Sequence, residues 1–154
     1  MLLNNAGVYG DIPSQGFGEL DYQRWATTLT INTLAPVKMA EAFLPHLERG
    51  KNSLIASVSS LMGSLTDNTS GGSYLYRSSK AGLNAAMKSL SIDLRNRSIG
   101  VLILHPGWVR TDMGGKNGLI DVTESVSGMR QVLADFSPEQ SGSFIRYDGK
   151  PAPW

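Results

Sequence analysis

Residues 74–107 read YLYRSSKAGLNAAMKSLSIDLRNRSIGVLILHPG. Leu83, Met87, Leu90 and Leu94 fall at i, i+4, i+7 and i+11, one apolar stripe of a helix predicted over Tyr74–Asn96. Ala81, Ala85 and Ala86 keep much of the remaining surface small, which suits close helix–helix packing. Val101-Leu102-Ile103-Leu104 then runs apolar without alternation, as a strand does when both faces of its sheet are covered. His105-Pro106-Gly107 ends it. A long helix feeding a doubly buried strand predicts a parallel α/β sheet.

The flanking segments fit that scheme. Ser53–Ser59 (SLIASVS) is a second strand candidate, with Leu54, Ile55 and Val58 as its apolar content, and Leu61–Gly72 is a polar loop. Met1-Leu2-Leu3, closed by Asn4-Asn5-Ala6-Gly7, reads as the end of another buried strand, and Asp11–Gly18 as a loop carrying Pro13, Gly16 and Gly18. Asp21 is placed to cap a helix through Tyr22, Trp25, Leu29 and Asn32, and helical character continues through Val37, Ala40 and Leu44 to Leu47 and stops at Gly50. Pro36 inside that pattern predicts two segments or a bend. Downstream come a helix over Asp121–Phe136 stopped by Ser137-Pro138, a short strand at Ser143–Arg146 and a turn at Tyr147-Asp148-Gly149.

Composition bounds the function. The 154 residues suffice for one domain, 1–154, and 41% hydrophobic against 18% charged residues can build a core. Fourteen Lys+Arg against thirteen Asp+Glu give a net charge of +1, so no nucleic-acid partner is expected. Zero Cys excludes a disulfide framework and a thiolate nucleophile, and two His are too few for a His-rich metal site, so no metal is expected. No apolar run reaches the roughly 20 residues of a membrane span, and the N-terminus lacks the signature of a secretory signal. A cytoplasmic chain without a membrane partner is the expectation.

Tyr76 and Lys80 carry the chemistry. Four apart on a helix, they lie on one face one turn apart. An ammonium there is expected to lower the tyrosine pKa from about 10, which suits general acid–base work on a carbonyl or alcohol oxygen. Ser59 and Ser60 close a strand where a hydroxyl can hold the same oxygen. Read alone, the pair is a pattern that many helices carry by chance, and a surface tyrosine beside a solvated lysine is its first reading. For the rest, His46 reads as a helix-end or surface residue, His105 as strand-end packing ahead of a place beside the reacting groups, and Tyr22 and Trp25 as core or helix-packing residues. Trp108 and Val109 read as pocket lining or simple packing, and Arg95 and Arg97 as a solvated helix-end cluster. No GxSxG elbow supports a serine hydrolase.

Taken in order, the motifs resemble the short-chain dehydrogenase/reductase family over essentially the whole chain. Asn4-Asn5-Ala6-Gly7 is similar to its NNAG motif, Asn32 in INTL to its active-site Asn, and Ser60 to its catalytic Ser. Tyr76 and Lys80 match its YxxxK pair, and Pro106-Gly107 with Thr111 its PGxxxT segment. The loop SLMGSLTDNTSGGSYLYRSSK and the ending YDGKPAPW look most like the C-factor and sniffer-like carbonyl reductases. The resemblance implies a Rossmann-like, doubly wound parallel sheet and NAD(P)-dependent interconversion of a carbonyl and an alcohol on a small-molecule substrate. It implies Tyr76 as acid/base, Lys80 lowering its pKa and holding the nicotinamide ribose, and Ser60 on the substrate oxygen. Asn32 would help hold a proton-relay water. The cofactor, NADP or NAD with NADP favoured, would meet Asn5, Ala6, Gly7, Tyr76, Lys80, Pro106, Gly107, Val109 and, at its carboxamide, Thr111. Equivalent helices in the family form a dimer interface, which implies a homo-oligomer.

Two departures stand out. Ser60 lies sixteen residues before Tyr76 where the commonest family pattern has thirteen, so Ser59 stays open as the alternative. The family's Gly-rich phosphate loop occurs nowhere in these residues. The expectation is therefore the C-terminal portion of the domain, strands four to seven of the order 3-2-1-4-5-6-7, with an unpaired edge on its first strand. Such a chain is expected to be a poor catalyst alone, and a non-catalytic, partner-binding or dimerising role is the alternative.

Overall fold

The computed structural model of the chain describes residues 1–10, 13 and 15–154. Four apolar runs become strands: β1 (Leu2–Asn4), β2 (Ser53–Val58), β3 (Ile99–His105) and β4 (Ser143–Arg146). All pair in parallel, in the spatial order β1-β2-β3-β4. The register is level: Asn4 lies opposite Ser57, Ser57 opposite Ile103 and Ile103 opposite Phe144. The C-terminal ends of the strands thus open on one rim, where open α/β sheets place their ligands. This is the Rossmann-like α/β arrangement expected from the sequence.

The helices are α1 (Tyr22–Leu29), α2 (Ala35–Glu48), α3 (Tyr74–Asp93) and α4 (Val122–Ala134). Because parallel connections put helices on the sheet faces, strand residues alternate between two cores. On one face Ile55, Val101 and Ile103 meet Ala40 and Leu47 of α2 and Leu83 and Met87 of α3, with Leu94 just beyond its end. On the other, Leu54, Ala56, Leu102 and Leu104 meet Met129, Val132 and Leu133 of α4. Fully burying one such aliphatic side chain is worth about 1.5–3 kcal/mol, so the stripe read in α3 is what fixes that helix to the sheet. β1 is an edge strand, and its Leu3 is exposed.

Pro36 has the effect anticipated for it, by a specific route. A proline has no N–H for the carbonyl four residues back, here Asn32, and its ring crowds that carbonyl. The chain widens into a π-helical turn over Thr30–Leu34, where the Ala35 N–H reaches back to the Thr30 carbonyl, and α2 starts with Pro36 in its first turn. Asp21 caps α1 through the N–H groups of Gln23 and Arg24, and Asp121 caps α4 through that of Glu124.

Two expectations need adjustment, and a third falls partly outside the described residues. The long helix ends at Asp93 rather than Asn96, because Leu94 leaves helical geometry and a 3₁₀ turn follows at Arg95–Arg97. Tyr22 is 72% exposed, stacked on Trp25 at 6.0 Å, and so is not a core residue. Of the loop expected over Asp11–Gly18, Asp11, Ile12 and Ser14 lie outside the described residues. Among the described residues no helix is long and apolar enough to cross a membrane, and no three His, Asp or Glu side chains cluster as metal ligands.

Candidate active site

The rim above β1, β2 and β3 gathers four of the residues singled out in the sequence. Asn32, in the π-helical turn, is 1% exposed. Its Oδ1 accepts from the Val8 N–H at 2.9 Å, and its Nδ2 donates to the Val8 carbonyl at 2.8 Å and to Ser79 Oγ at 2.9 Å. One amide side chain thereby ties the segment after β1 to α3. Thr33, beside it, donates to the Ser79 carbonyl at 2.7 Å.

On α3, Tyr76 and Lys80 face inward and both are buried. Lys80 Nζ donates to the Val58 carbonyl at the end of β2 at 3.0 Å and lies 5.8 Å from the Tyr76 ring centroid. Burial pulls its pKa down to about 8. Tyr76 departs from the expectation of a lowered value. Burial pushes its hydroxyl above the ordinary tyrosine range, against a hydrogen bond from Ser60 that favours the phenolate, and the nearby Tyr9 adds to the rise. Burial decides the direction because the lysine is itself desolvated and directs a donor to Val58 instead.

The two neighbouring serines have different partners. Ser59 Oγ donates to Asn84 Oδ1 at 2.6 Å with both groups buried, a clamp between the end of β2 and α3. Ser60 reaches Tyr76 and accepts from the Met62 N–H at 3.1 Å, starting a 3₁₀ turn over Leu61–Gly63. A Cβ on Gly63 would come within 2.7 Å of the Lys80 backbone, so only glycine lets that turn press against α3. The turn takes up part of the longer Ser60–Tyr76 separation. His105 Nδ1 accepts from the Leu61 N–H at 3.2 Å. Burial, then the charge of Arg146, lowers its pKa to about 4, outweighing Asp67 and Asp148, so the neutral ring packs the strand end as expected.

The remaining predicted residues are less tightly gathered. Asn5 and Ala6 are exposed beyond β1, whereas Gly7 lies against Asn32 Oδ1 and Lys80 Nζ. Pro106 accepts through its carbonyl from Ser125 Oγ at 2.6 Å. Gly107 has φ +87° and a Cβ there would meet Ile120 at 2.5 Å, which fixes glycine at that turn. Val109 bridges to Ile120, and Thr111 is exposed, its Oγ1 accepting from the Gly114 N–H. Among the described residues no hydrogen bond joins the 106–111 segment to Ser60, Tyr76 or Lys80. Tyr9, Gln15 and Ser79 also touch the site, and no periodicity or motif marks them in the sequence; each arrives there only through the fold.

The chain is similar to known proteins over its whole length. A family model described as short chain dehydrogenase matches residues 1–119. The chain is 47% identical to C-signal of Myxococcus xanthus over 154 residues, all of this chain and 92% of that protein. Among solved structures it resembles the carbonyl reductase Sniffer of D. melanogaster (TM-score 0.95, 40% identity) and the NADPH-bound carbonyl reductase from chicken fatty liver (TM-score 0.92, 36% identity). Each covers 99% of this chain, which spans 65% of each of those structures.

Proposed function

Because this chain belongs to the short-chain dehydrogenase family, we propose that it serves NADP-dependent reduction of a small-molecule carbonyl, with Tyr76 as the proton donor. The observation that carries the reading is the convergence of Tyr76, Ser60, Lys80 and Asn32 on one rim of a parallel sheet. The space beside Gly7, which a Cβ would fill against Asn32 and Lys80, fits the nicotinamide-ribose end of a cofactor. Lys80 has three ammonium donors and directs one to Val58, leaving donors for ribose hydroxyls. Asn5, Ala6, Gly7 and the segment from Pro106 through Gly107 and Val109 to Thr111 would line the rest, with Thr111 on the carboxamide. Such a cofactor, when bound, supplies the hydride.

The protein's part is to hold the carbonyl oxygen and deliver a proton to it. Burial keeps Tyr76 protonated at neutral pH, which suits an acid in the reducing direction. Ser60 would hold the same oxygen, and Asn32 and Lys80 would order the water that restores the proton. A cytoplasmic homo-oligomer associating through α2 and α3, which leave Met39, Phe43 and Ile92 exposed, completes the proposal. A strictly monomeric mass by light scattering at micromolar concentration would count against that last part.

A second reading, a partner-binding chain whose site is inherited but unused, is favoured by one observation. C-signal is matched over 92% of its length, and the matched residues of this chain carry no Gly-rich phosphate loop. Titration with NADPH and NADH, followed by fluorescence and then by turnover of an aldehyde or diketone, separates the two. Saturable NADPH binding with turnover lost in Tyr76→Phe supports the enzyme. Absence of binding by the folded chain supports the partner-binding reading.

A further inference from the structure

The first N–H groups of a helix need acceptors, usually from the side chain of the residue that caps it. At α3 that residue is Ser73, which sits in the left-handed region (φ 47°, ψ 42°) and makes no side-chain cap. Its hydroxyl instead shares a hydrogen bond with the Tyr9 hydroxyl at 3.0 Å. The capping acceptors come from a residue sixty-one positions from Tyr76. Gln15 Oε1 accepts from the Tyr76 N–H at 3.2 Å, and the Gln15 carbonyl accepts from the Tyr74 N–H at 3.3 Å. The other end of the same amide, Nε2, donates to the Tyr9 carbonyl at 2.8 Å. Gln15 is 4% exposed, so these bonds do not compete with bulk water.

The neighbouring contacts close a circuit around Tyr76. Asn32 holds both main-chain polar groups of Val8, Gln15 holds the carbonyl of Tyr9, and the Tyr9 ring packs on the Tyr76 ring at 4.6 Å. We propose that Gln15 is a positioning residue of this site: it caps α3 from outside the helix and fixes Tyr76 against the Val8–Tyr9 segment. It touches none of the proposed reacting atoms. It acts by setting where the helix begins and hence where the Tyr76 hydroxyl stands relative to Ser60. The catalytic part of this inference rests on Tyr76 being the acid of the proposed reaction; the structural part does not.

The test uses the full chain in three variants. Gln15→Met keeps the bulk and loses both polar ends, Gln15→Ala loses bulk and bonds, and Gln15→Glu keeps an acceptor for Tyr76 but not the donor to Tyr9. Amide hydrogen exchange in ¹⁵N-tyrosine- and ¹⁵N-methionine-labelled protein compares Tyr76 with Met87, which lies deep in the same helix. Loss of the cap bond should speed Tyr76 exchange on the order of 10-fold in Gln15→Met and Gln15→Ala, less in Gln15→Glu, with Met87 unchanged. Tyrosinate absorbance, assigned to Tyr76 by difference from Tyr76→Phe, should titrate at lower pH in Gln15→Met as water reaches the hydroxyl. Unchanged Tyr76 exchange and titration in Gln15→Met, or acceleration of Tyr76 and Met87 alike, overturns the proposal. Where the protein turns over, Gln15→Met should lower kcat with cofactor affinity retained. Turnover surviving Tyr76→Phe would instead remove the proposed reaction and leave the exchange result to judge the cap.

Discussion

Two regions of the same rim are held in different ways. Around Tyr76 and Lys80, side chains from four separate segments bond across the fold: Asn32 to Val8 and Ser79, Ser59 to Asn84, Lys80 to Val58, and Gln15 to Tyr9 and Tyr76. The segment after β3 is held mostly by itself. Trp108 Nε1 donates to the Gly114 carbonyl at 2.7 Å, Arg110 Nη1 to the Gly118 carbonyl at 3.0 Å, and Leu119 N–H to the Trp108 carbonyl. Trp108, Met113 and Leu119 are all exposed there. The end proposed for acid/base work is thus arranged by the folded core, whereas the segment carrying Val109 and Thr111 has few tertiary ties. That contrast suits the proposed reaction, in which the proton donor needs fixed geometry while ligands must enter and leave.

The strongest way to break that contrast is Tyr76→Phe. Phenylalanine keeps the ring and its packing on Tyr9 but removes the proton, so turnover should fall on the order of 10²–10⁴-fold with an unchanged circular dichroism spectrum. A wild-type rate would take Tyr76 out of the mechanism. Next in size is Asn32→Ala. It strips three hydrogen bonds from a buried position and should cost about 2–4 kcal/mol in urea unfolding, with loss of turnover. A cost under about 1 kcal/mol would mean that Asn32 does not pin the segment after β1.

His105 joins the two regions, ending β3 and holding the turn after Ser60. The unfolded chain takes up its imidazole proton near pH 6.5, but the folded chain only near pH 4. Stability from this group is therefore full above about pH 6.5 and falls as pH drops towards 4, by up to about 3 kcal/mol. Replacing it with Asn should flatten that part of the stability–pH curve, and an unchanged slope would assign the acid sensitivity elsewhere. The smallest effect is expected from Trp108→Ala. The residue is 52% exposed, so its loss should shift unfolding by under about 1 kcal/mol. A larger loss would show that the 106–120 segment is tied to the core after all.

Much of the fold was legible in the order of its residues. The stripe Leu83, Met87, Leu90, Leu94, the unbroken run Val101–Leu104 and the capping Asp21 each express a short-range rule, periodicity or local hydrogen bonding, that needs no knowledge of the rest of the chain. Pro36 belongs with them: its missing N–H dictates a break, and the break is the π-helical turn that carries Asn32. The spacing of Tyr76 and Lys80 on one face of α3 was equally local.

Tertiary structure alone decided the rest, because it depends on burial and on partners distant in sequence. Neighbouring hydroxyls at 59 and 60 are indistinguishable until Asn84 takes one and Tyr76 the other. A lysine one turn away predicts a lowered tyrosine pKa, yet desolvation of both groups reverses the direction for Tyr76 and pulls Lys80 down to about 8. Gln15 caps a helix that begins fifty-nine residues later, a relation that no window along the chain contains. Composition and periodicity act through nearest neighbours and fix the elements; the free energy of a buried charge or an unpaired N–H is set by whatever the folded chain brings beside it.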